Sequence, residues 1–169
     1  MKKLAVLFAS MFIFAIAVQN LNAQATSATD DATATARIVT PITLTNDQGL
    51  AFGNIASSNS LGTVTISPAN VRTSSGGVTP SAIGAFNNAI FQAGGEPNAT
   101  YTITLPTSVT VISGANNMTV TGWTSNPSGT GTLSGSGAQT INVGATLNVA
   151  ANQATGDYSG SFNVTIAYN

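Results

Sequence analysis

The sequence predicts an all-β protein, a sandwich or barrel of roughly nine to eleven short antiparallel strands. The clearest observation is the C-terminal stretch GDYSGSFNVTIAYN, in which apolar residues or glycine alternate with small or polar ones. A period of two is typical of a half-buried strand. Turn residues interrupt the chain at intervals of about 8–12 residues, as they do in sandwiches and barrels. No segment has a convincing helical period.

The N-terminus is typical of a secretory signal peptide. Lys2 and Lys3 precede an almost wholly apolar run at residues 4–18, and small residues follow, so we expect cleavage after Ala23 or Ala25 and assign residues 1–23 to the signal. The run of about 15 residues is shorter than the roughly 20 that a spanning helix needs. We therefore expect export to the periplasm and then the cell surface, with no membrane span in the mature protein.

We expect a flexible lead-in at residues 24–33, where the chain is small, polar and slightly acidic. Apolar residues at even positions from Ala34 predict a single β-domain over residues 34–169 that opens with a long strand. Because proline cannot donate to a ladder, Pro41 places this strand at an edge or breaks it. The sequence Asn46-Asp47-Gln48-Gly49 predicts a turn.

Further strands are predicted wherever alternating residues lie between turn residues. They cover residues 50–55, 61–67, 71–74, 89–93, 101–105, 109–112, 118–123, 141–149 and 158–168. Residues 81–91 also show helical spacing, but Gly84 and Asn87-Asn88 are poor helix residues, which favours a strand at the end of that segment. We find no internal repeat and no domain linker.

Composition excludes most catalytic chemistry. The chain has no His and no Cys, which removes Ser-His-acid and Cys-His nucleophiles and most zinc sites. The mature chain has no Lys, and its five acidic residues lie in the lead-in or in predicted turns. We therefore predict no enzyme, no catalytic residue, no cofactor and no metal.

The small number of charged residues limits the kinds of partner that the protein can bind. Charged residues make up 5% of the sequence, far below the usual quarter. After cleavage two arginines and five acidic residues give a net charge of −3, and nucleic acid needs clustered cations. We expect no nucleic-acid partner. A Thr, Ser and Asn surface suits an object packed beside copies of itself, and equally an ordinary secreted β-domain.

Several segments together resemble the bacterial family DUF4402, a domain of unknown function. They are residues 38–45, 50–55, 97–106 and 156–169, and the run Pro-Asn-Ala-Thr-Tyr-Thr-Ile-Thr-Leu-Pro is specific. The resemblance covers nearly the whole mature chain. This family is in turn similar to spore coat U domains and to archaic chaperone–usher pilins, which share an early Phe-Gly and a Gly-x-Tyr before the last strand. Many of those domains carry a disulfide, which this chain lacks.

The resemblance to pilins implies an immunoglobulin-like or pilin-like antiparallel β-sandwich that lacks one strand. A periplasmic chaperone strand would cover the groove first, and the N-terminal strand of the next copy would then replace it at an usher. The implied acceptor edge comprises Gly156, Tyr158, Phe162, Val164, Ile166 and Tyr168. The implied donor strand contains Ala32, Ala34, Ala36 and Ile38.

The sequence thus favours a non-enzymatic fimbrial or pilus-type subunit that assembles by strand donation. The alternative is a stand-alone exported sandwich of binding, adhesin or coat type, closed by its own N-terminal strand pairing with its C-terminal strand. The donor alanines bury little area each, at ~25 cal/mol per Å². Four aromatic residues, Tyr101, Trp123, Tyr158 and Tyr168, could line a carbohydrate face, although such residues more often form core.

Overall fold

The computed structural model describes residues 27–169, so the predicted signal peptide and the first residues of the lead-in lie outside the described residues. The chain divides into two units, Met1–Arg37 and Ile38–Asn169. In the first unit, residues 27–37 are exposed and form no strand.

The second unit is an all-β sandwich, as predicted, and holds the ten strands of the described chain. They are β1 (Thr43–Gln48), β2 (Ile55–Ile66), β3 (Arg72–Pro80), β4 (Ala89–Gly94), β5 (Thr100–Thr104), β6 (Val109–Ser113), β7 (Asn116–Asn126), β8 (Thr130–Thr132), β9 (Ala138–Val149) and β10 (Thr165–Tyr168).

The strands form two antiparallel sheets. The large sheet has seven strands, in the order β1-β4-β9-β2-β3, with β7 paired to β9 and β6 paired to β7. The small sheet has the order β10-β5-β8. Strand β9 organises the large sheet, because its residues 138–143 pair with β4, its residues 145–149 pair with β2, and its other side pairs with β7. Gly144 lies at the switch, where any side chain would collide with the carbonyl oxygen of Ile66.

Two buried clusters make up the core, and they differ in how they are covered. Cluster 1 contains side chains from both sheets, namely Ala89, Phe91, Ala93, Tyr101, Ile103, Leu133, Ile141 and Val143. Cluster 2 contains side chains from the large sheet alone, namely Val64, Val78, Val120, Ala145, Leu147 and Val149. The small sheet therefore covers one half of the inner face of the large sheet, and cluster 2 occupies the other half.

The predicted strand from Ala34 is wrong for residues 34–42, whereas the expectation that Pro41 breaks the strand or places it at an edge is confirmed, since β1 begins after Pro41 and lies at the edge of the large sheet. Residues 27–42 form no strand, and β1 begins at Thr43, immediately after the sequence passes Pro41. The predicted turn at Asn46-Asp47-Gln48-Gly49 is also wrong over its first three residues, which belong to β1. The Asn46 side-chain amide donates to the Ile90 carbonyl and that of Gln48 donates to the Asn88 carbonyl, so these residues are held along β4.

The predicted final strand over residues 158–168 is correct only in its last four residues. Residues 165–168 form β10 on β5, whereas Ser159 makes an isolated bridge to Ile112 of β6. The chain thus lies first along the large sheet and then joins the small one. Gly160 permits the first contact, because a Cβ there would lie 2.6 Å from the Thr110 carbonyl oxygen.

Candidate functional site

An open groove of about 920 Å³ lies over cluster 2. Its floor is the inner face of the large sheet, formed by Val109, Val111, Met118, Val120, Trp123, Leu147 and Val149. Two segments flank it. We call them the first wall (residues 50–57, the last three of which begin β2) and the second wall (residues 153–162, which belong to no named strand). The groove occupies the place where a strand of a second sheet would cover cluster 2.

The floor is apolar and incompletely covered. Val109, Val111, Met118 and Trp123 pack against cluster 2 but stay half-buried. In cluster 1, by contrast, Ile141 and Val143 from the large sheet are fully buried, and Tyr101 and Ile103 from the small sheet are buried with them. Among the residues that line the groove, Asp157 is the charged one. Such a surface suits a partner that has an apolar face and that supplies backbone groups for hydrogen bonding.

The first wall is held in place by Arg72 from β3. Its Nη1 donates to the Phe52 carbonyl at 3.2 Å and its Nη2 donates to the Ser81 carbonyl at 2.7 Å. The guanidinium also lies 4.4 Å from the centroid of the Phe86 ring, a cation–π contact. Gly53 has φ +77°, and a Cβ there would lie 2.6 Å from Arg72 Nη1, so glycine is required at this position. Arg72 therefore fixes one side of the groove.

The second wall is held to β6 and to its own turn. Ser159 and Ile112 exchange backbone hydrogen bonds of 3.0 and 2.9 Å. The Tyr158 hydroxyl donates to the Ala154 carbonyl and accepts from Gln153 Nε2, both at 2.8 Å. At the far end the Phe162 ring lies 4.5 Å from that of Trp123, measured between centroids. These contacts fix the position of both walls.

The predicted acceptor edge is split between two places. Gly156, Tyr158 and Phe162 line the groove. Val164, Ile166 and Tyr168 lie elsewhere and pack against cluster 1. The structure therefore brings together only the first half of the predicted set.

Tyr168 has a specific structural role at the end of β10. Its hydroxyl donates to the Thr40 carbonyl at 2.8 Å and accepts from the Glu96 backbone N–H at 2.7 Å. The same Glu96 accepts a hydrogen bond from the Thr40 N–H through its carboxylate. The penultimate aromatic residue thus ties the chain before β1 to the turn before β5.

The outer edge of β10 has no strand beside it in the part of the chain that is described. Asn169 N–H bonds to the Thr100 carbonyl, which places the odd-numbered backbone groups of β10 toward β5. Since successive residues of a strand face opposite edges, the backbone groups of Ile166 and Tyr168 point outward. Strand β1 pairs with β4 and β10 pairs with β5, so the alternative of a sandwich closed by pairing of its N-terminal and C-terminal strands has no counterpart in residues 27–169.

The predicted donor residues lie outside any described strand. Ala32, Ala34 and Ala36 are exposed, and Ile38 is 98% exposed. Ile42 is half-buried against cluster 1 and precedes β1 directly. Ile38 therefore does not belong to the first strand of the domain.

Sequence reasoning missed the residues of the groove floor and the first wall. Alternation at 109–111 and 118–120 predicts strands with an apolar face, and both strands exist. An alternation of apolar and polar residues does not show whether the apolar face of a strand is covered by other residues of the domain. Of the four aromatic candidates, Tyr101 is fully buried core, Trp123 and Tyr158 line the groove, and Tyr168 packs on cluster 1.

Two further properties concern chemistry in residues 27–169. Burial raises the pKa of the Tyr101 phenol above its ordinary value of 10.0, and its hydroxyl donates to Gln139 Oε1 at 3.5 Å. This group belongs to cluster 1. Within the described residues no three acidic side chains gather as metal ligands would, and no helix has the length and hydropathy of a membrane span.

The family comparison gives one match. The family model described as a domain of unknown function, DUF4402, matches residues 42–168. That range covers β1 to β10 and both walls of the groove, while the exposed segment before residue 42 lies outside it. No curated protein and no solved structure matches the chain.

Proposed function

The chain belongs to the DUF4402 family, and from this premise we propose that it is an exported, non-enzymatic subunit of a fimbrial or pilus-type surface assembly. Copies would be joined by β-strand donation, with a periplasmic chaperone and an usher as assembly partners. The observation that carries the proposal is the apolar groove over cluster 2, where one half of the large sheet has no sheet facing it within residues 27–169. Export rests on the N-terminal sequence pattern.

Occupation of the groove by a strand is energetically favourable. The floor side chains Val109, Val111 and Met118 are half-buried in the subunit alone. Complete burial of an aliphatic side chain contributes roughly 1.5–3 kcal/mol, so finishing a half-completed burial contributes about 1 kcal/mol for each of them. An incoming strand would in addition pair its backbone with open edges beside the groove, as in β-strand addition generally.

The exposed N-terminal segment has the pattern of a donor. Residues 32–38 alternate Ala32, Ala34, Ala36 and Ile38 with polar residues, and the segment forms no strand in the subunit. An extended chain of twelve residues, such as residues 27–38, reaches about 40 Å. That reach allows the segment to extend from one copy to another.

The experiment that tests this proposal uses mature protein purified from the cell exterior without denaturant. We expect a ladder on unheated SDS gels that collapses on boiling, and thin fibres by negative-stain microscopy. A variant that lacks residues 24–36 is expected to stay folded, by circular dichroism, and to lose the ladder. A single monomer band with no fibres in the full mature chain would refute the proposal.

The second candidate is a stand-alone exported binding domain. The observation that favours it is the groove itself, because ligand pockets commonly measure about 300–1,000 Å³ and combine apolar walls with a few polar groups. Trp123 and Tyr158 supply aromatic faces, and Asp157 supplies a carboxylate. A fully monomeric protein whose groove binds an oligosaccharide, by titration calorimetry, would favour this candidate.

A further inference from the structure

We infer that Trp123 is the specificity-determining residue of the groove: once the Phe162 ring has moved off it, its indole N–H donates a hydrogen bond to an oxygen of the strand that enters. This inference rests on the proposed function and adds to it the one polar contact that the floor itself makes. It concerns the acceptor copy alone and holds for any register of the entering strand. It can therefore fail while strand donation stands.

A β-bulge in β7 lies at Trp123. The pairing of β7 with β9 shifts by one residue between Thr121 and Thr124, so that Gly122 and Trp123 together lie opposite Ala145. Gly122 has φ +60°, the left-handed conformation that glycine adopts in one class of bulge. The strand thus contains one residue more than its partner at this point.

The bulge changes which residues of β7 face inward. Val120 before the bulge and Ser125 after it are both buried, although an unbroken alternation would place them on opposite faces. Without the extra residue, Trp123 would face away from the side of Val120, whereas in the structure it lines the groove. Bulges are common beside functional sites because they re-aim a side chain. Here the re-aimed side chain is the single tryptophan of the chain.

The indole N–H of Trp123 has no acceptor among the described residues. Its Nε1 atom is buried, and among the buried side-chain nitrogen and oxygen atoms of residues 27–169 it is the one that makes no hydrogen bond. Native proteins rarely leave a buried donor without an acceptor, because the donor has given up its bond to water for nothing. On the floor of a groove, such a donor is explained if the occupant supplies the acceptor.

Phe162 of the second wall covers the tryptophan. The two ring centroids lie 4.5 Å apart with 40° between the planes, and on the side of cluster 1 the Phe162 ring meets Phe91 at 6.1 Å. Phe162 is only half-buried, and the wall that carries it forms no strand and bridges β6 through Ser159. The ring can therefore move without breaking a ladder of backbone hydrogen bonds. Its displacement uncovers Nε1.

The polarity of the floor favours a strand as the source of the accepting oxygen. An oligosaccharide carries many hydroxyl groups that need partners, whereas the floor side chains are apolar and the Trp123 N–H is the one donor among them. The Tyr158 hydroxyl lines the groove as well, but it is already bonded to Ala154 and Gln153. A strand lays an apolar face on such a floor and carries backbone oxygens along its edges.

The single tryptophan permits a direct spectroscopic test. The indole N–H band in ultraviolet resonance Raman spectra shifts when the group donates a hydrogen bond, and no second tryptophan obscures it. We expect the position of a free indole in the dissociated subunit and that of a hydrogen-bonded indole in the assembled protein. Met118→Leu is the matched control, because it changes a floor side chain without a polar group. It should leave both band positions unchanged.

An isosteric replacement measures what the hydrogen bond contributes. Trp123→benzothienylalanine keeps the shape of the double ring and puts sulfur in place of N–H. We expect the protein concentration for half-assembly to rise about two- to tenfold, the net effect of one typical hydrogen bond. The urea midpoint of the dissociated subunit should not fall, because the free subunit offers this N–H no acceptor.

The outcomes separate this inference from the proposed function. Assembled protein whose indole band stays at the free position would overturn the inference and leave strand donation standing. A hydrogen-bonded band in the dissociated subunit, or a lower urea midpoint for the isostere, would overturn it too, since the N–H would then have an acceptor in the subunit itself. An unmodified protein that forms neither ladder nor fibres would refute the proposed function, and this inference with it. A band shift of that monomer on titration with cellohexaose would assign the donor to an oligosaccharide instead.

Discussion

Replacing Ile38 by serine is expected to weaken assembly about 10- to 150-fold and to leave the subunit itself unchanged. Ile38 is 98% exposed, so its side chain contributes almost nothing to the core of its own copy. If it enters the groove of a neighbour, nearly the whole side chain becomes available for burial. Full burial of an isoleucine contributes roughly 1.5–3 kcal/mol, and each 1.4 kcal/mol corresponds to about tenfold in affinity.

The assay measures two quantities. The first is the protein concentration at which half of the material appears in the unheated SDS ladder, and the second is the melting temperature of the dissociated subunit. Val39→Ser is the matched control, because Val39 is adjacent but belongs to the opposite face of the donor strand. Unchanged assembly of Ile38→Ser would refute the burial of Ile38 in the groove of a neighbouring copy. A lowered melting temperature of the dissociated subunit would show instead that Ile38 stabilises its own fold.

Two further predictions concern the hydroxyl groups of tyrosine residues. Tyr168→Phe keeps the ring but leaves its two backbone partners without the hydroxyl, so we expect a loss of about 1–3 kcal/mol in urea unfolding; equal stability of the two proteins would contradict that role. Because burial raises the pKa of Tyr101, the unfolded chain loses its proton first as pH rises above 10.0, and the free energy of unfolding should fall from there upward. Tyr101→Phe should reduce this fall, and an identical pH profile for both proteins would argue against it.

The strands were predictable where local pattern and pairing agree. Residues 101–105 alternate cleanly between a turn and a proline, and β5 forms there with Tyr101 and Ile103 in the core. The same alternation fails at residues 158–164, because that segment bonds to β6 through Ser159 and only later joins β5. The two-residue period of the apolar residues cannot by itself show that one stretch of chain crosses from one sheet to the other.

The candidate site was predictable in part. Gly156, Tyr158 and Phe162 line the groove because their alternation turns them toward an apolar surface. Val164, Ile166 and Tyr168 continue the same alternation, yet they pack on cluster 1 because the small sheet covers that half of the domain. The hydrogen bonds of the Arg72 side chain could not be predicted, since they join it to the backbone of residues that lie 9 and 20 positions away.

The chain itself fixes those properties that depend on composition and local period. These include the all-β class, the family and the lack of histidine and cysteine. The uncovered half of the large sheet has a different origin. It arises because β9 pairs with β4, β2 and β7, while the small sheet of three strands reaches only cluster 1. Those pairings join residues far apart in the chain, and the choice among possible partners depends on the packing of the whole domain rather than on any local pattern.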